Sequence, residues 1–389
     1  MNRASIYLDY AATSPLRPEA REAWDAAIGS ADFNPASAHG FGRGAHHALE
    51  EARERLALLV GAHRQEVVWT GGGTQADNLA ILGYSRRNMS SRPLLVVSAI
   101  EHKAVLAAAR RAEVEGAELR LLGVDRSGTV DPEELDDLLA GAAGRPCLVS
   151  VMWANNEVGT VQPVAELCRI AHEHGALFHA DAVQALGKLP VSCGDVPADL
   201  LSLTAHKIGG PVGIGALIVR GGVELQPLVY GGSQERGLWP GTQNPLGAVA
   251  FSAAAKAAVG ELRQVVPRWT ALRNALDSDL NEGIGGIVVH GVDAPDRLPQ
   301  LLSVGIPGAD AATLLMALDL AGIAASSGSA CSSGSQAGSH VLAAMGIAPG
   351  EEYAVLRFSF GPSTTEAEVT RAAEVTIRAA ARARDVLQS

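Results

Sequence analysis

Five short polar segments carry residue types that chemistry needs, each placed just after an apolar run. Gly71-Gly72-Gly73-Thr74-Gln75-Ala76-Asp77-Asn78 sets three glycines and a hydroxyl behind a run ending at Thr70. Glycines there let backbone N–H groups approach an anion closely, and a following helix N-terminus adds partial positive charge. A plain glycine turn would read the same way. The segment is not a GxGxxG fingerprint and no Walker lysine follows, which counts against dinucleotide and ATP sites. His102 and Asn155-Asn156-Glu157 come next. Alone they say little, since a lone histidine is commonly a satisfied residue and paired asparagines commonly serve turns. Asp181 follows Phe178-His179-Ala180. A carboxylate at the end of a buried strand is costly unless a cation or a protonated ring nitrogen compensates it, the alternative being a cap on the next helix. The fifth segment is Thr204-Ala205-His206-Lys207, ahead of Gly209-Gly210-Pro211. A strand-end lysine forms a Schiff base if its pKa, about 10.4 in solution, is lowered, and is otherwise an ordinary surface residue. Asp181 and then Lys207 is the order that a pyridoxal 5'-phosphate site requires: one carboxylate keeps the pyridine nitrogen protonated and one lysine holds the aldehyde carbon.

Such residues need a frame to converge. Short apolar runs predict strands at 66–70, 94–98, 119–124, 147–153, 176–180, 200–204 and 215–219. Several are continuously apolar, as expected for strands buried on both faces. Between them, Ala48, Leu49, Ala52, Leu56, Leu59 and Val60 make one helical stripe, and Asp131-Pro132 opens another helix with an N-cap and an N1 proline. This alternation predicts an α/β fold with a mostly parallel central sheet flanked by helices, whose ligand site lies outside the carboxyl ends of the strands. After about residue 250 the pattern changes. An Ala-rich helical stretch runs from Gly247 towards Leu280 with an expected interruption around Pro267, then short strands at 287–290, 301–304 and 355–359 and a helix at 311–321. A Gly/Ser-rich segment spans Ser326–Ser339, and Thr365 with Glu368 has capping-box spacing. The expected organisation is a large domain over 16–250 and a smaller α+β domain from 1–15 and 251–389.

The 389 residues are 47% hydrophobic and 19% charged, which excludes a disordered or low-complexity scaffold. Aromatics are only 4%, so Ala, Leu and Val must build the core. The net charge of −11 is spread along the chain, with no basic stripe to bind nucleic acid directly and no acidic tail. Cys147, Cys168, Cys193 and Cys331 form no CxxC pair, so no zinc knuckle or disulfide framework is indicated. No basic-then-apolar leader opens the sequence and no apolar run reaches about 18 residues, so a cytoplasmic protein without membrane attachment is expected.

The segments resemble, in order and over essentially the whole chain, the cysteine desulfurases of the class V aminotransferase group. The matching residues run from Tyr7-Leu8-Asp9-Tyr10-Ala11-Ala12-Thr13 through Asn34-Pro35-Ala36-Ser37 and His39 to Glu101-His102-Lys103-Ala104-Val105. They continue in Asn155-Asn156-Glu157-Val158-Gly159, His206-Lys207, Ser327-Gly328-Ser329-Ala330-Cys331 and Arg357-Phe358-Ser359. The resemblance implies the fold type I of pyridoxal-phosphate transferases and assigns roles by position. Lys207 is implied as the Schiff-base lysine, Asp181 as the partner of the pyridinium nitrogen, Gln184 as a donor to the ring oxygen, and His102 as the residue stacked on the ring and a candidate for proton transfer. Gly73, Thr74, Thr204 and His206 match the phosphate-binding set, which in this family a neighbouring subunit completes with a threonine at the place of Thr242, implying a homodimer. Asn156 and Arg357 match residues near the substrate carboxylate, for which a guanidinium fork is suited. Cys331 matches the nucleophile that takes sulfur from L-cysteine as a persulfide, leaving L-alanine. Its Ser-Gly-Ser-Ala-Cys setting is similar to the group-I branch, whose sulfur goes to acceptor proteins such as iron–sulfur scaffolds or thio-modification enzymes. Trp239-Pro240 stands where the family commonly has Arg-Ser, which removes a cation; Gln75 replaces a common Glu, and Thr204 a common Ser. A selenocysteine lyase and an ordinary class V aminotransferase share this scaffold and stand as alternatives.

Overall fold

Runs such as Leu94-Leu95-Val96-Val97 and Ala216-Leu217-Ile218-Val219 have no polar face to give to water, and they become buried strands of a sheet covered on both sides. The computed structural model describes residues 5–142, 144–327, 338–347 and 353–388. Its strands are β1 (Ile6–Tyr7), β2 (Val67–Thr70), β3 (Leu94–Ser98), β4 (Glu118–Leu122), β5 (Cys147–Ser150), β6 (Leu177–Asp181), β7 (Leu200–Thr204), β8 (Gly215–Val219), β9 (Val288–Val289), β10 (Leu301–Pro307), β11 (Ile323–Ala324) and β12 (Tyr353–Ser359). A seven-stranded sheet has the order β2-β8-β7-β6-β5-β3-β4. Within it β8 runs antiparallel to β2 and β7, and every other pair is parallel.

Side chains alternate between the two faces of this sheet. Trp69, Val96, Val149 and Phe178 face a core closed by Leu49, Ala52 and Leu56 of the helix Gly40–Leu59 and by Phe251 of the helix Pro245–Gly260. Val68, Leu95, Val97 and Leu148 face the other way, onto Leu79 and Ala80 of the helix Gly73–Arg87 and Ala108 and Ala112 of the helix Lys103–Glu115. Both layers set helix N-termini at the carboxyl ends of strands, where the sequence places its polar segments.

A second core lies over the antiparallel sheet β12-β10-β9, covered by the helices Leu262–Ile284, Ala311–Leu320 and Glu366–Gln388. The N-terminal segment is tied to this layer. β1 pairs with β11, Leu8 is buried in the second core, and Asp9 bridges Ser359. The chain then crosses to the large sheet, so Ala11 and Ala12 reach the end of β7.

The two expected caps form. Asp131 accepts a hydrogen bond from Glu133 N at 2.9 Å ahead of Pro132, and Thr365 and Glu368 bond each other's backbone N–H groups. The expected break at Pro267 does not. The helices Pro245–Gly260 and Leu262–Ile284 part at Glu261, and Pro267 sits inside the second one. So early in a helix a proline releases only one i−4 carbonyl, that of Arg263, whereas Gly260 is the poorest helix former at the junction apart from proline. β5 ends at Ser150 rather than Trp153, although Val151 N and Trp153 N still donate to His179 O and Asp181 O.

Candidate active site

The carboxyl ends of β2, β3, β5, β6 and β7 open onto a cavity of about 520 Å³. Its floor is the glycine turn after β2. Gly72 has φ +148°, and a Cβ on Gly73 would lie 2.8 Å from Val183 Cγ2, so backbone alone fits there. Gly73 is the first residue of a 15-residue helix, which brings unpaired first-turn N–H groups to the cavity beside Thr74. Thr204, the last residue of β7, and His206 complete this end. His206 Nδ1 lies 3.1 Å from Thr13 Oγ1, and burial pushes its imidazole down to about 4, so it is neutral at neutral pH.

Asp181 ends β6 with only 4% exposure, and its Oδ1 accepts from Val183 N at 2.9 Å. Burial raises its pKa, while His102, the Val183 N–H and Lys207 pull it back down. His102 caps the helix Lys103–Glu115, its Nδ1 accepting from Ala104 N at 3.1 Å, which leaves Nε2 as the protonated nitrogen of the neutral ring. Burial lowers its pKa more than Asp181 raises it, and Lys207 lowers it further. Lys207 sits on the single turn His206–Ile208, and its Nζ donates to Ala11 O at 2.8 Å and Ala12 O at 2.6 Å. Gln184 is fixed at both ends of its amide: Nε2 donates to Ala11 O at 2.8 Å and Oε1 accepts from Lys188 Nζ at 2.8 Å.

The far wall comes from the second layer. Arg357 on β12 is 2% exposed, donating from Nη1 to Asn156 O and from Nη2 to Asp9 Oδ1, each at 2.7 Å. Its buried Nε has no partner within the described protein. Thus Gly73, Thr74, His102, Asn156, Asp181, Gln184, Thr204, His206, Lys207 and Arg357 all line one cavity. Thr242 does not; it is exposed, outside the cavity of its own chain. Cys331 lies outside the described residues. Cys147, Cys168 and Cys193 are buried and free, and burial pushes the first two thiols up to about 12, which makes them inert.

Several residues were not singled out by sequence reasoning. Asp77 is one turn along the helix from Gly73 and on the same face, a spacing that could have revealed it. It lines the cavity, its Oδ1 makes no hydrogen bond and lies 3.8 Å from His179 Nε2, and burial together with Asp181 raises its pKa well above the carboxylate range. Glu101 is also fully buried, holding Met152 N, and its pKa is raised by burial first and by Asp181 second. His340 opens the helix His340–Ala344 and reaches the cavity, with Nε2 2.9 Å from Glu101 O. Among the described residues no helix is long and apolar enough to cross a membrane.

The family model for aminotransferase class-V matches residues 6–372. The cysteine desulfurase IscS of Dictyoglomus turgidum is 39% identical over 373 residues, 96% of this chain and 94% of its own length. A solved NifS-like protein superposes with a TM-score of 0.89 at 34% identity, covering 96% of this chain and 98% of its own. A structure of SspA in complex with cysteine superposes with a TM-score of 0.80 at 31% identity, covering 93% of this chain and 100% of its own. The chain therefore belongs to the class-V aminotransferase family and, within it, to the NifS/IscS-like cysteine desulfurases.

Proposed function

We propose that the cavity binds pyridoxal 5'-phosphate and L-cysteine, and that the protein converts L-cysteine to L-alanine while its sulfur passes to Cys331. The observation that carries the reading is the convergence of Lys207, Asp181 and a glycine-built helix N-terminus on one cavity that Arg357 closes from the opposite side. The donor set fits the cofactor: Gly73, Thr74, Thr204 and His206 offer N–H and hydroxyl groups to a phosphate, Asp181 offers a carboxylate to a ring nitrogen, and Lys207 offers an amine to an aldehyde. Arg357 Nε, buried without a hydrogen-bond partner in the described protein, marks a wall built to meet something other than protein.

When bound, the cofactor supplies an electron sink for the electron pair left at the substrate Cα. Arg357 orients the substrate carboxylate, with Asn156 beside it. Asp181 keeps a proton on the ring nitrogen. Lys207 takes the Cα proton, and neutral His102 packs by the ring with Nε2 available for proton transfer. The thiolate of Cys331 then attacks the substrate sulfur: the Cβ–S bond breaks, an S–S bond forms, and Cβ gains a proton as the product becomes alanine. A free thiol with pKa about 8.5 needs activation for this step.

The finer assignments rest on separate supports. A homodimer is supported by Thr242, exposed in the single chain, and by Val212, which lines the cavity yet is 76% exposed. Division into 16–250 and 1–15 with 251–389 is supported by the two separate cores, although Phe251, Ala254, Ala255 and Ala258 pack in the first. A reducing, cytoplasmic setting is supported by the free thiols, and the persulfide would pass to an iron–sulfur scaffold or a thio-modification enzyme. Incubation of the holoenzyme with L-cysteine and a reductant should release alanine and sulfide in equal amounts. Turnover of selenocysteine alone, or transamination with a keto acid and no sulfide, would replace this reading with one of its alternatives.

A further inference from the structure

Lys207 borders two cavities. One is the large cavity described above; the other is a small one behind it, of about 40 Å³, that also touches Lys188, Gln300, Tyr10 and Ser14. Its lining runs from these residues out to Pro15, which is exposed. A single water needs roughly 10–15 Å³ by this measure together with two to four polar partners. The space therefore accepts about three or four waters at most. Gln300 supplies the polar partners: it is 1% exposed, and neither its Oε1 nor its Nε2 finds a partner within the described protein. An amide buried with both ends unpaired is costly in an apolar setting, so water is the ligand this wall is made for.

We propose that this small cavity holds ordered water, and that the water together with Lys188 exchanges the proton of the Lys207 amine with solvent. Lys188 is 5% exposed, and its Nζ is anchored to Gln184 Oε1 at 2.8 Å. Burial, Lys207 and Arg357 push its pKa down to about 7, against the pull of Asp181, so near neutral pH a share of it is a neutral amine able to accept. The remaining charged neighbour on the cavity wall, Arg17, is held by Glu261. After Lys207 has taken the substrate Cα proton, one N–H bond of its ammonium breaks. Cavity water accepts that proton and delivers one to the Lys188 amine, from which it passes outward along the water past Pro15. Nothing is oxidised or reduced. Lys207 thereby returns to its basic form without opening the substrate side of the site to solvent.

This inference rests on reading Lys207 as the base at Cα, and an isotope experiment separates the two. The holoenzyme turns over L-cysteine in deuterium oxide, and the protium retained at Cα of the alanine product is measured by mass spectrometry or NMR. The wild type should retain little. Lys188→Met and Gln300→Leu should each raise the ratio of retained to exchanged Cα hydrogen by about tenfold, less than the hundredfold or more of a direct acid–base group because the relay acts one step away. Lys188→Arg should behave like Lys188→Met, since a guanidinium does not release its proton near neutral pH. A crystal structure should show water in the cavity of the wild type and lose it in Gln300→Leu. Wild-type retention in Gln300→Leu, or recovery by Lys188→Arg, overturns the relay in favour of a structural cation. Should Lys188→Met not fold, Gln300→Leu against Gln300→Glu gives the same decision. Absence of alanine from the wild type would instead overturn the functional reading.

Discussion

Asp9 accepts a hydrogen bond from Arg357 Nη2 at 2.7 Å, and this pair ties the N-terminal segment to β12 at the wall facing Lys207. With Nη1 spent on Asn156 O, the guanidinium is held in one orientation and only Nε lacks a protein partner. A carboxylate clamped to a buried guanidinium keeps the positive charge compensated until substrate arrives. Replacing Arg357 by Leu should therefore raise KM for L-cysteine far more than it lowers kcat. A charge-assisted hydrogen bond is worth about 1.5–3 kcal/mol, or about 10- to 150-fold. Asp9→Asn, which keeps an acceptor oxygen, should give a smaller effect in the same direction. Steady-state kinetics with L-cysteine measures both, and an unchanged KM in Arg357→Leu would remove that residue from the substrate site.

Lys207 and Asp181 enter from neighbouring elements, the turn after β7 and the end of β6. Lys207→Ala should abolish alanine formation and the covalent retention of cofactor that borohydride reduction gives in the wild type, with non-covalent binding at the phosphate end persisting. Asp181→Asn keeps the shape and removes the charge that holds the ring proton. Its kcat should fall by a factor of about a hundred or more, the scale of a lost proton-positioning group. Cofactor absorbance retained on the borohydride-reduced, denatured protein, paired with alanine release, checks both. A fully active Asp181→Asn protein would contradict the role given to the carboxylate.

The second core contains a titrating group unconnected with the cavity. His290 is 3% exposed, its Nδ1 lies 3.0 Å from Ser303 Oγ, and burial pushes its pKa down to about 4. In the unfolded chain the same imidazole titrates near 6.5. Between these values the native state binds fewer protons, so this contribution is complete above about pH 6.5 and is lost as pH falls towards 4. From pH 7 to pH 5 the loss amounts to about 2 kcal/mol. His290→Gln, which retains a hydrogen-bonding side chain without the titration, should show a correspondingly shallower fall in urea-unfolding stability over that interval. An identical pH slope in the two proteins would mean that His290 titrates in the native state as it does in the unfolded chain.

Where local chemistry decides structure, the sequence was legible. β3, β7 and β8 begin and end at the expected residues because their runs are rich in Leu, Val and Ile, with Pro93 ahead of β3, Asp199 ahead of β7 and Arg220 after β8 as breaks. The caps at Asp131 and Thr365 depend on contacts over two or three residues. Ten of the proposed site residues met in one cavity because each lies near a strand end, on a loop, or on β12 facing it. What stayed hidden depends on distant packing. Lys188 follows Gln184 by one turn, yet lysine is ordinarily exposed, and its burial comes from the walls around it. Gln300 precedes β10 and shares a cavity with Lys207 only because the two layers are docked. Pro267 marked a plausible helix break, but tolerance of a proline depends on its place within the helix.

Cys331 turns a cofactor-binding scaffold into a sulfur donor, and its role can be tested independently of its position. Cys331→Ser should bind the cofactor with wild-type affinity and still accept L-cysteine, because those steps use Lys207, Asp181 and Arg357. It should not release sulfur, since a hydroxyl is a poor nucleophile towards sulfur while a thiolate is a strong one. Alanine formation should fall by a factor of about a hundred or more, as expected for loss of a covalent nucleophile. In the wild type treated with cysteine and no reductant, the peptide carrying Cys331 should gain the mass of one sulfur atom. The buried thiols of Cys147 and Cys168, pushed up to about 12, should not be modified. Sulfur found on those peptides with Cys331 unmodified would move the acceptor elsewhere, and a fully active Cys331→Ser enzyme would leave the chain without a persulfide step at this residue.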